Sequence, residues 1–325
     1  MQNKYVDLKL GYSCNNNCLH CVISNQKKEA QNLRGNFNRT IQEIFKELEK
    51  SKSNGCERVT ITGGEPTIRN DFCDIINYAK NDLNFIVYLQ TNGRMFKSLE
   101  FTKKTLLFID FIIIALHSDK ESIHDKITQR KNSFKETIDG IKNLISLNAN
   151  IGIKIVISKY NYKDLKNILI LLKSLKVNYV NIAFPHANGN ALKYFDKVVP
   201  NYKDIVSYVE NAIEFSKENN IILELEQVLP CCLNKNYDMK YFTDIKLKSN
   251  ECELKQLNQD MLKGKNLFKK DKRKIPQCKS CIYNRYCDGF WKEYIEKRGY
   301  DEFKCVNIFS KKVKDIIKDK INQWK

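Results

Sequence analysis

Apolar residues along most of the chain follow two alternating patterns. Short runs rich in β-branched and aromatic residues predict strands, at residues 6–10, 58–62, 85–90, 108–116, 151–157, 179–184 and 221–228. Apolar residues at helical spacing predict helices between them, at residues 41–48, 72–79, 134–145, 165–175 and 206–215. Thr40 and Glu43 have the spacing of a capping box before the first of these helices. Regular alternation of strands with helices is typical of parallel βαβ units, so the pattern predicts an α/β fold.

Composition limits the class of protein. The chain has 325 residues, of which 42% are hydrophobic, enough for one large domain and a smaller one. Its apolar runs are too short to span a membrane, and its N-terminus lacks the apolar stretch of a signal peptide. Twelve cysteines without an export signal indicate reduced thiols and metal binding rather than disulfides. We therefore expect a cytoplasmic protein without membrane partners.

The net charge is +18, from 56 basic and 38 acidic residues. Such a surface could attract nucleic acid, an acidic peptide or phosphate. The lysines are scattered over many segments, however, and the densest run, residues 263–274, is expected to be a solvated loop. Nucleic acid is therefore not the favoured partner, although the charge permits it.

Three cysteines follow the first predicted strand in a CxxxCxxC spacing: Cys14, Cys18 and Cys21. Cubane iron–sulfur clusters are held by four cysteine thiolates. Three thiolates would leave one iron without a protein ligand, free to bind a small molecule through an amino and a carboxylate group. A zinc site that lacks its fourth ligand, or three unrelated core cysteines, would give the same spacing.

A Gly-Gly-Glu-Pro turn follows the second predicted strand, at residues 63–66. The two glycines allow the backbone to bend sharply and to approach a ligand closely. Glu65 places a carboxylate beside this backbone, and Pro66 stiffens the end of the turn. Taken alone, the turn is also compatible with an ordinary strand-to-helix connection.

Together, the CxxxCxxC spacing and the Gly-Gly-Glu-Pro turn resemble the radical S-adenosylmethionine (radical SAM) superfamily. The resemblance implies a partial (β/α)6 TIM-like barrel over residues 1–228, with a 4Fe–4S cluster on the three cysteines of the motif. The methionine end of SAM would chelate the open iron. Functional residues of α/β barrels gather at the C-terminal ends of the strands, where both motifs are predicted to lie.

The resemblance also implies which residues hold SAM. The turn that would bind its amino group consists of Gly63, Gly64, Glu65 and Pro66. Three more residues near predicted strand ends would contact the adenine, the ribose or the carboxylate: His20, Asn92 and Ser118. The sequence does not identify a catalytic acid or base.

A second group of cysteines lies in the last hundred residues. It contains a CxxCxxxxxC run, Cys278, Cys281 and Cys287, and the pair Cys231-Cys232. This pattern resembles the auxiliary-cluster extensions called SPASM and twitch domains, but Trp291 stands where a SPASM domain has another cysteine. The resemblance therefore implies a shortened, twitch-like domain over residues 229–325 with one auxiliary 4Fe–4S cluster.

The resemblance gives this auxiliary cluster four thiolate ligands. They are Cys278, Cys281, Cys287 and one residue of the pair, where Cys232 is preferred to Cys231. Cys252 and Cys305 are spare candidates. Structural zinc is the alternative, since a CxxC pair with two more thiolates satisfies it.

The chemistry implied is reductive cleavage of SAM to a 5′-deoxyadenosyl radical, which abstracts hydrogen from a C–H bond of the substrate. Relatives with an auxiliary domain mostly crosslink, epimerise or form thioethers in ribosomally made peptides, so we expect a peptide substrate. His124-Asp125 and Ser133-Phe134 resemble a stretch of the peptide-maturase subgroup and are expected to cap a helix. The auxiliary cluster would relay the electron left after bond formation.

Partners and alternatives follow from the same resemblance. Because the first motif begins at residue 14, we expect a separate protein to bind the peptide's leader, and a flavodoxin or ferredoxin to supply electrons. The alternative reactions are oxidation or rearrangement of a small molecule or nucleotide, and RNA modification. From another class, a non-catalytic two-cluster electron carrier would also use two cysteine groups, although it would not need the turn at residues 63–66.

Overall fold

The computed structural model describes residues 4–35, 38–245 and 271–306, so Cys252 lies outside the described residues. Within them, seven parallel strands form one sheet in the order of the sequence. The strands are β1 Lys4–Lys9, β2 Cys56–Thr62, β3 Ile86–Thr91, β4 Phe111–Ala115, β5 Ile151–Val156, β6 Tyr179–Ala183 and β7 Ile222–Glu226. A short antiparallel pair, β8 Lys272–Arg273 and β9 Phe290–Trp291, follows near the C-terminus.

Helices connect the successive strands of the sheet, and a further helix follows β9. They are α1 Ser24–Arg34, α2 Ile41–Ser53, α3 Phe72–Asn77, α4 Leu99–Leu106, α5 Glu121–Thr128, α6 Ser133–Ser146, α7 Leu165–Ser174, α8 Asn190–Lys193, α9 Phe195–Val198, α10 Tyr202–Glu218 and α11 Lys292–Arg298. None of the helices in the described ranges is long and apolar enough to cross a membrane.

Two predicted helix caps are confirmed. The Thr40 hydroxyl accepts the Glu43 N–H at 3.2 Å, and the Glu43 carboxylate accepts the Thr40 N–H at 2.8 Å, which fixes the start of α2. Asp125 likewise binds the start of α6, where its carboxylate accepts the Phe134 N–H at 2.8 Å and the Ser133 hydroxyl at 2.7 Å. The stretch at residues 124–134 therefore orders a helix.

The fourth strand is shorter than the sequence predicted, because it begins at Phe111 rather than at residue 108. The preceding residue, Asp110, makes its bonds through the side chain. Its carboxylate accepts the Val87 N–H at 2.7 Å and pairs with the Lys80 ammonium at 2.6 Å. The apolar run therefore predicts too long a strand. The Asp110 carboxylate binds the N-terminal end of β3, and β4 begins only at the next residue.

Residues alternate between two faces of the sheet. The outer face is apolar and fully buried beneath the helices, with residues such as Val59, Ile112 and Ile153. The inner face carries polar residues, and the carboxyl of Asp7 on β1 is influenced electrostatically by Lys154 on β5. Three strands separate β1 from β5, so this interaction crosses the concave side of a curled sheet. The predicted α/β partial barrel is confirmed, with seven parallel strands.

The C-terminal residues pack on the barrel through aromatic side chains. The Tyr202 ring of α10 stacks on Phe184 at 3.9 Å and contacts Tyr294 at 4.9 Å and Phe303 at 5.1 Å. All four residues belong to one continuous apolar core with the barrel. The domain boundary at residue 229 therefore stays a prediction.

Candidate functional site

The loop at residues 10–23, between β1 and α1, carries Cys14, Cys18 and Cys21 and is named the cysteine loop. All three side chains are half-buried. Burial raises the pKa of each thiol, to about 11 for Cys14. The thiols are therefore protonated at neutral pH, and a metal group that binds them must displace their protons.

The turn at residues 63–66 lies directly against the cysteine loop. The Gly64 N–H donates to the Gly11 carbonyl at 2.9 Å, and the Glu65 N–H donates to the Ser13 carbonyl at 2.8 Å. A Cβ atom on Gly63 would lie 2.3 Å from the Gly11 oxygen, and one on Gly64 would lie 2.1 Å from the Ser13 oxygen. The two glycines are thus required by the close contact between the two motifs. Pro66 follows and starts a short 3-10 turn.

The C-terminal end of α5 supports the cysteine loop from a second side. The Asn17 N–H donates to the Thr128 carbonyl, and the Leu19 N–H donates to the Ile127 carbonyl, both at 2.9 Å. These carbonyls are among the last four of a helix, which have no partner within the helix. The N–H groups of the cysteine loop therefore provide the hydrogen bonds that these carbonyls lack within the helix.

The loop after β6 supports the cysteine loop from a third side. Asn190 donates through its side-chain amide to the Cys18 carbonyl and through its backbone N–H to the Cys21 carbonyl, each at 2.9 Å. Gly189 has a positive φ of 55°, and a Cβ atom there would lie 2.5 Å from the Cys21 oxygen. A side chain at this position would push the two loops apart.

Arg94, which the sequence analysis missed, supports the loop from the fourth side. Its guanidinium donates to the Asn15 carbonyl at 2.7 Å, to Asn16 Oδ1 at 2.8 Å and to Glu136 Oε2 at 2.6 Å. Burial alone would raise the pKa of Glu136, but hydrogen bonds from Lys97 and Arg94 hold it below its ordinary value. A cation directly after the Thr-Asn-Gly turn at a strand end was the available signal.

Glu65 is almost completely buried, at 2% exposure. Its Oε1 atom accepts the Thr67 hydroxyl at 2.6 Å, the Thr67 N–H at 3.2 Å and the Thr91 hydroxyl at 2.7 Å, while Oε2 accepts the Asn92 N–H at 2.6 Å. Burial raises the pKa of Glu65, although these hydrogen bonds oppose the shift. The protein thus fixes the position of the carboxylate. Its Oε2 atom accepts one of these hydrogen bonds, from Asn92, and can accept a second.

Two predicted SAM contacts have structural roles of their own. The Asn92 side chain donates to Asn15 Oδ1 at 2.6 Å and accepts the Arg94 N–H at 3.1 Å, so it ties the turn after β3 to the cysteine loop. Ser118 is completely buried and accepts the Lys120 N–H at 3.0 Å. Whether either residue also contacts SAM stays a prediction.

Three of the four histidines in the chain form a cluster beside the cysteine loop. The ring of His20 meets that of His117 edge-on at 4.5 Å, and His117 stacks on His124 at 5.7 Å. Burial lowers the pKa of His20 and His124 to about 4, so both rings are neutral at physiological pH. A neutral His20 suits the predicted stacking against adenine, which stays a prediction.

Residues of the second cysteine group line a small cavity that is partly open to solvent. Four cysteines line this cavity: Cys231, Cys278, Cys281 and Cys287. Burial raises the pKa of Cys287 to about 12. Cys305 lies nearby, with its sulfur 3.3 Å from the Ser280 hydroxyl.

The two residues of the Cys231-Cys232 pair face different surroundings. Cys231 lines the cavity, whereas Cys232 is 7% exposed and buried in the apolar core with Tyr202 and Tyr294. The sequence analysis preferred Cys232 as the fourth ligand. The structure favours Cys231 instead, because Cys231 and not Cys232 lines the cavity with the other three cysteines.

The two cysteine groups can be tested against the chemistry expected of them. Within the described residues, no group of three or more His, Cys, Asp or Glu side chains could hold a metal ion. A tetrahedral zinc ion, with zinc–sulfur bonds of about 2.3 Å, needs its thiolates within about 4 Å of one another. Neither group is therefore a preformed zinc site in the described residues, while the thiols of both groups are the donor type that iron–sulfur clusters use.

Comparison with known proteins agrees with this geometry. The sequence model of the Radical SAM superfamily matches residues 8–172, which include both motifs. A relative described as "Probable GTP 3',8-cyclase", from Saccharolobus islandicus, is 26% identical over 204 residues, 62% of this chain and 63% of that protein. The chain thus spans less than two thirds of the length of this relative.

Two solved structures share the fold over almost the whole chain. SuiB of Streptococcus suis bound to S-adenosylmethionine has a TM-score of 0.62 and 14% identity, covering 94% of this chain and 76% of its own. anSMEcpe with bound AdoMet and the Cp18Cys peptide has a TM-score of 0.60 and 13% identity, covering 99% and 98%. At these identities the likeness establishes the fold.

Proposed function

The chain belongs to the radical SAM superfamily, and on this premise we propose that it modifies a C–H bond of a ribosomally made peptide by crosslinking, thioether formation or epimerisation. When bound, the 4Fe–4S cluster and SAM supply the carbon radical that abstracts hydrogen from this bond. The observation that carries the peptide proposal is the fold shared over 94% of the chain with SuiB. SuiB has also been solved with its precursor peptide SuiA.

The cysteine loop and its neighbours have distinct roles in this proposal. Cys14, Cys18 and Cys21 hold the cluster, and the Glu65 carboxylate, already held by Asn92 and the two threonines, binds the SAM ammonium. The carbonyls of Gly63 and Gly64 lie in the same turn and add acceptors. Since the protein fixes all these groups before SAM binds, the free energy lost in ordering the site on binding is small.

We assign the auxiliary cluster to Cys231, Cys278, Cys281 and Cys287, the four cysteines that line one cavity. Cys231→Ser and Cys232→Ser form a matched pair of variants on adjacent residues. After anaerobic reconstitution, Cys231→Ser should lose about four of about eight irons per chain, while Cys232→Ser should keep them. Iron and sulfide analysis gives the result, and the opposite pattern would restore Cys232 as the ligand.

Two partners belong to the proposal. A separate protein presents the leader of the peptide, and a flavodoxin or ferredoxin supplies the electron that starts each turnover. Both are testable by adding candidate proteins from the same genome to the reconstituted enzyme. The rate of 5′-deoxyadenosine formation should rise with the physiological reductant, and modified peptide should rise with the leader-binding protein.

The decisive experiment is co-expression with short peptides encoded beside the gene, followed by mass spectrometry of each peptide. Crosslinking or thioether formation removes two hydrogens from the peptide, and epimerisation in deuterated water replaces one hydrogen by deuterium. The enzyme with Cys14, Cys18 and Cys21 all changed to alanine is the control. The peptide proposal fails if no peptide changes while the purified enzyme consumes another substrate.

A nucleotide substrate is the second candidate, favoured by the 26% identity to probable GTP 3',8-cyclases. Purified enzyme with SAM, dithionite and GTP would then convert GTP and form 5′-deoxyadenosine in proportion. SAM binding in calorimetry together with 5′-deoxyadenosine formation would exclude a non-catalytic electron carrier.

A further inference from the structure

The inner face of the barrel carries an ion pair that none of the motifs explains. Lys154 on β5 and Glu226 at the end of β7 meet across β6, with Nζ and Oε2 2.6 Å apart. Their side chains are 30% and 38% exposed, so a ligand can reach them. Both lie near the C-terminal ends of their strands, the end at which α/β barrels bind their substrates.

Asn181 lies between the two charged residues. Asn181 on β6 is paired with Lys154 on β5. Ala183, two residues further along β6, is paired with Glu226 on β7. Asn181 is 7% exposed, and its Oδ1 atom has no hydrogen-bond partner among the described residues. Buried acceptors are nearly always paired, so this oxygen indicates a site for an N–H donor from a ligand or a water molecule.

The charges on the inner face balance. Its described strands carry three cations and three carboxylates: Lys9, Arg58, Lys154, Asp7, Glu224 and Glu226. The pKa of Asp7 is raised by burial, against the opposing effects of Lys9, Arg58 and Lys154. Glu224 accepts the Tyr179 hydroxyl at 2.6 Å. A wall whose cations are matched by carboxylates has no excess positive charge for a triphosphate, which proteins bind with arginine and lysine.

We propose that Asn181, flanked by the Lys154–Glu226 pair, is a substrate subsite that binds a neutral carboxamide, either an Asn or Gln side chain or a peptide group. The Asn181 oxygen accepts the amide N–H of the ligand. The Lys154 ammonium donates to the amide oxygen, while Glu226 keeps this ammonium in place. The inference rests on the proposed function, in which the substrate is a peptide, and adds the chemical group that the barrel recognises.

The test is saturation-transfer NMR on the full-length, cluster-loaded protein with SAM bound. The probes are N-acetylglutamine methylamide, N-acetylalanine methylamide, N-acetylglutamate methylamide and GTP. The two neutral probes should bind, and the glutamine probe should exceed the alanine probe if a side-chain carboxamide is the group recognised. Asn181→Leu should weaken the neutral probes by about tenfold, the value of one hydrogen bond to a buried group.

Lys80→Met is the matched control. The Lys80–Asp110 pair has the same 2.6 Å separation and similar exposures of 30% and 35%, but it lies at the opposite end of the strands. Lys80→Met should leave probe binding unchanged, whereas Lys154→Met should weaken it. Equal binding of the neutral probes by wild type and Asn181→Leu, or stronger binding of glutamate or GTP than of glutamine, overturns the proposal.

Asn181→Asp is a second variant for the case in which Asn181→Leu fails to fold, because Asp has the same shape as Asn. It keeps an acceptor for the amide N–H and adds a negative charge, so it should retain the glutamine probe and strengthen N-acetyllysine methylamide, a change of preference that misfolding does not produce. Failure of the subsite is distinguishable from failure of the proposed function. Peptide modification without binding of the neutral probes refutes only the subsite. If the enzyme converts GTP and the probes still bind in a manner that depends on Asn181, only the proposal of a peptide substrate is refuted.

Discussion

The two cysteine groups of this protein are held in opposite ways. The cysteine loop makes hydrogen bonds with four separate parts of the barrel: the turn after β2, Arg94 after β3, the end of α5 and the loop after β6. The C-terminal cysteines lie on short turns whose bonds are mostly local, such as Cys278 N–H to the Ile275 carbonyl and Cys287 N–H to the Tyr283 carbonyl. The barrel therefore builds the first site, and the second has far less support.

This difference has an energetic consequence. Where a metal site is not preformed, the free energy of metal binding is also free energy of folding. Where the protein already holds the ligands in place, metal binding contributes little to the free energy of folding. The first site should thus survive the loss of its cluster, while the C-terminal region should loosen when it loses its own.

The largest effect should come from changing Cys14, Cys18 and Cys21 together to alanine. About four of about eight irons should be lost, and SAM cleavage should stop. The secondary structure should persist, because the loop is held mainly through backbone atoms. Iron analysis, 5′-deoxyadenosine assay and circular dichroism check this outcome.

Cys73→Ala, a half-buried cysteine outside both groups, is the control for the triple variant and should behave as wild type. Formation of 5′-deoxyadenosine by the triple variant would remove the central assignment. Unfolding of the triple variant would instead break the comparison, since it would show that the first site also depends on its cluster.

Cys281→Ala should give the next largest effect. The auxiliary cluster should be lost and modified product with it, whereas SAM cleavage should continue because the cysteine loop is untouched. The C-terminal region should also lose stability, which thermal melting and proteolysis can detect. Zinc in place of iron and sulfide in anaerobically purified protein would contradict the redox role and leave a structural site.

Replacement of Glu65 sharpens the view of the first site. Glu65→Ala should weaken SAM binding by about tenfold to a hundredfold, the value of about 1.5–3 kcal/mol for a hydrogen bond to a charged group. The variant also leaves donors of Thr67, Thr91 and Asn92 without an acceptor, which lowers stability. Glu65→Gln keeps an acceptor and removes the charge, so it separates the two effects.

Calorimetry with cluster-loaded protein gives the affinities of both Glu65 variants. Comparable losses of affinity in the two would show that the charge binds SAM. A loss confined to the alanine variant would show that Glu65 mainly orders the turn after β3.

The sequence predicted the fold well because the barrel depends on local pattern. Buried strands and the Thr40 capping box follow from neighbours in sequence, and the cysteine spacing follows from one loop. The sequence could not show that Gly63 and Gly64 are needed for contact with the cysteine loop, or that Asn92 and Arg94 bind it. Those contacts join residues about 50 to 80 positions apart, which only the tertiary fold determines. The choice between Cys231 and Cys232 likewise depends on which side of a turn meets the core.

The prediction with the smallest expected effect on catalysis concerns the stability contribution of Arg94, and Lys97 provides its control. Both cations bind Glu136, but Lys97 is 51% exposed and its bond to Glu136 is a surface pair, whereas Arg94 also donates to two residues of the cysteine loop. Arg94→Met should cost about 2–3 kcal/mol of stability, because buried acceptors lose a charged donor. Lys97→Met should cost less than about 1 kcal/mol. Denaturant unfolding of the cluster-free protein gives both values.

The pH dependence of these two variants separates the ion pair from the loop contacts. The pKa of Glu136 is lowered from 4.5, so its pairing stabilises the protein above that pH and the contribution is lost as the pH falls through the lowered value. The part of the Arg94→Met deficit due to Glu136 should therefore vanish in acid. The part due to the Asn15 and Asn16 contacts should remain, since neither group titrates. A deficit that disappears completely at low pH would show that Arg94 acts only through Glu136, and the cysteine loop would then have three supports instead of four.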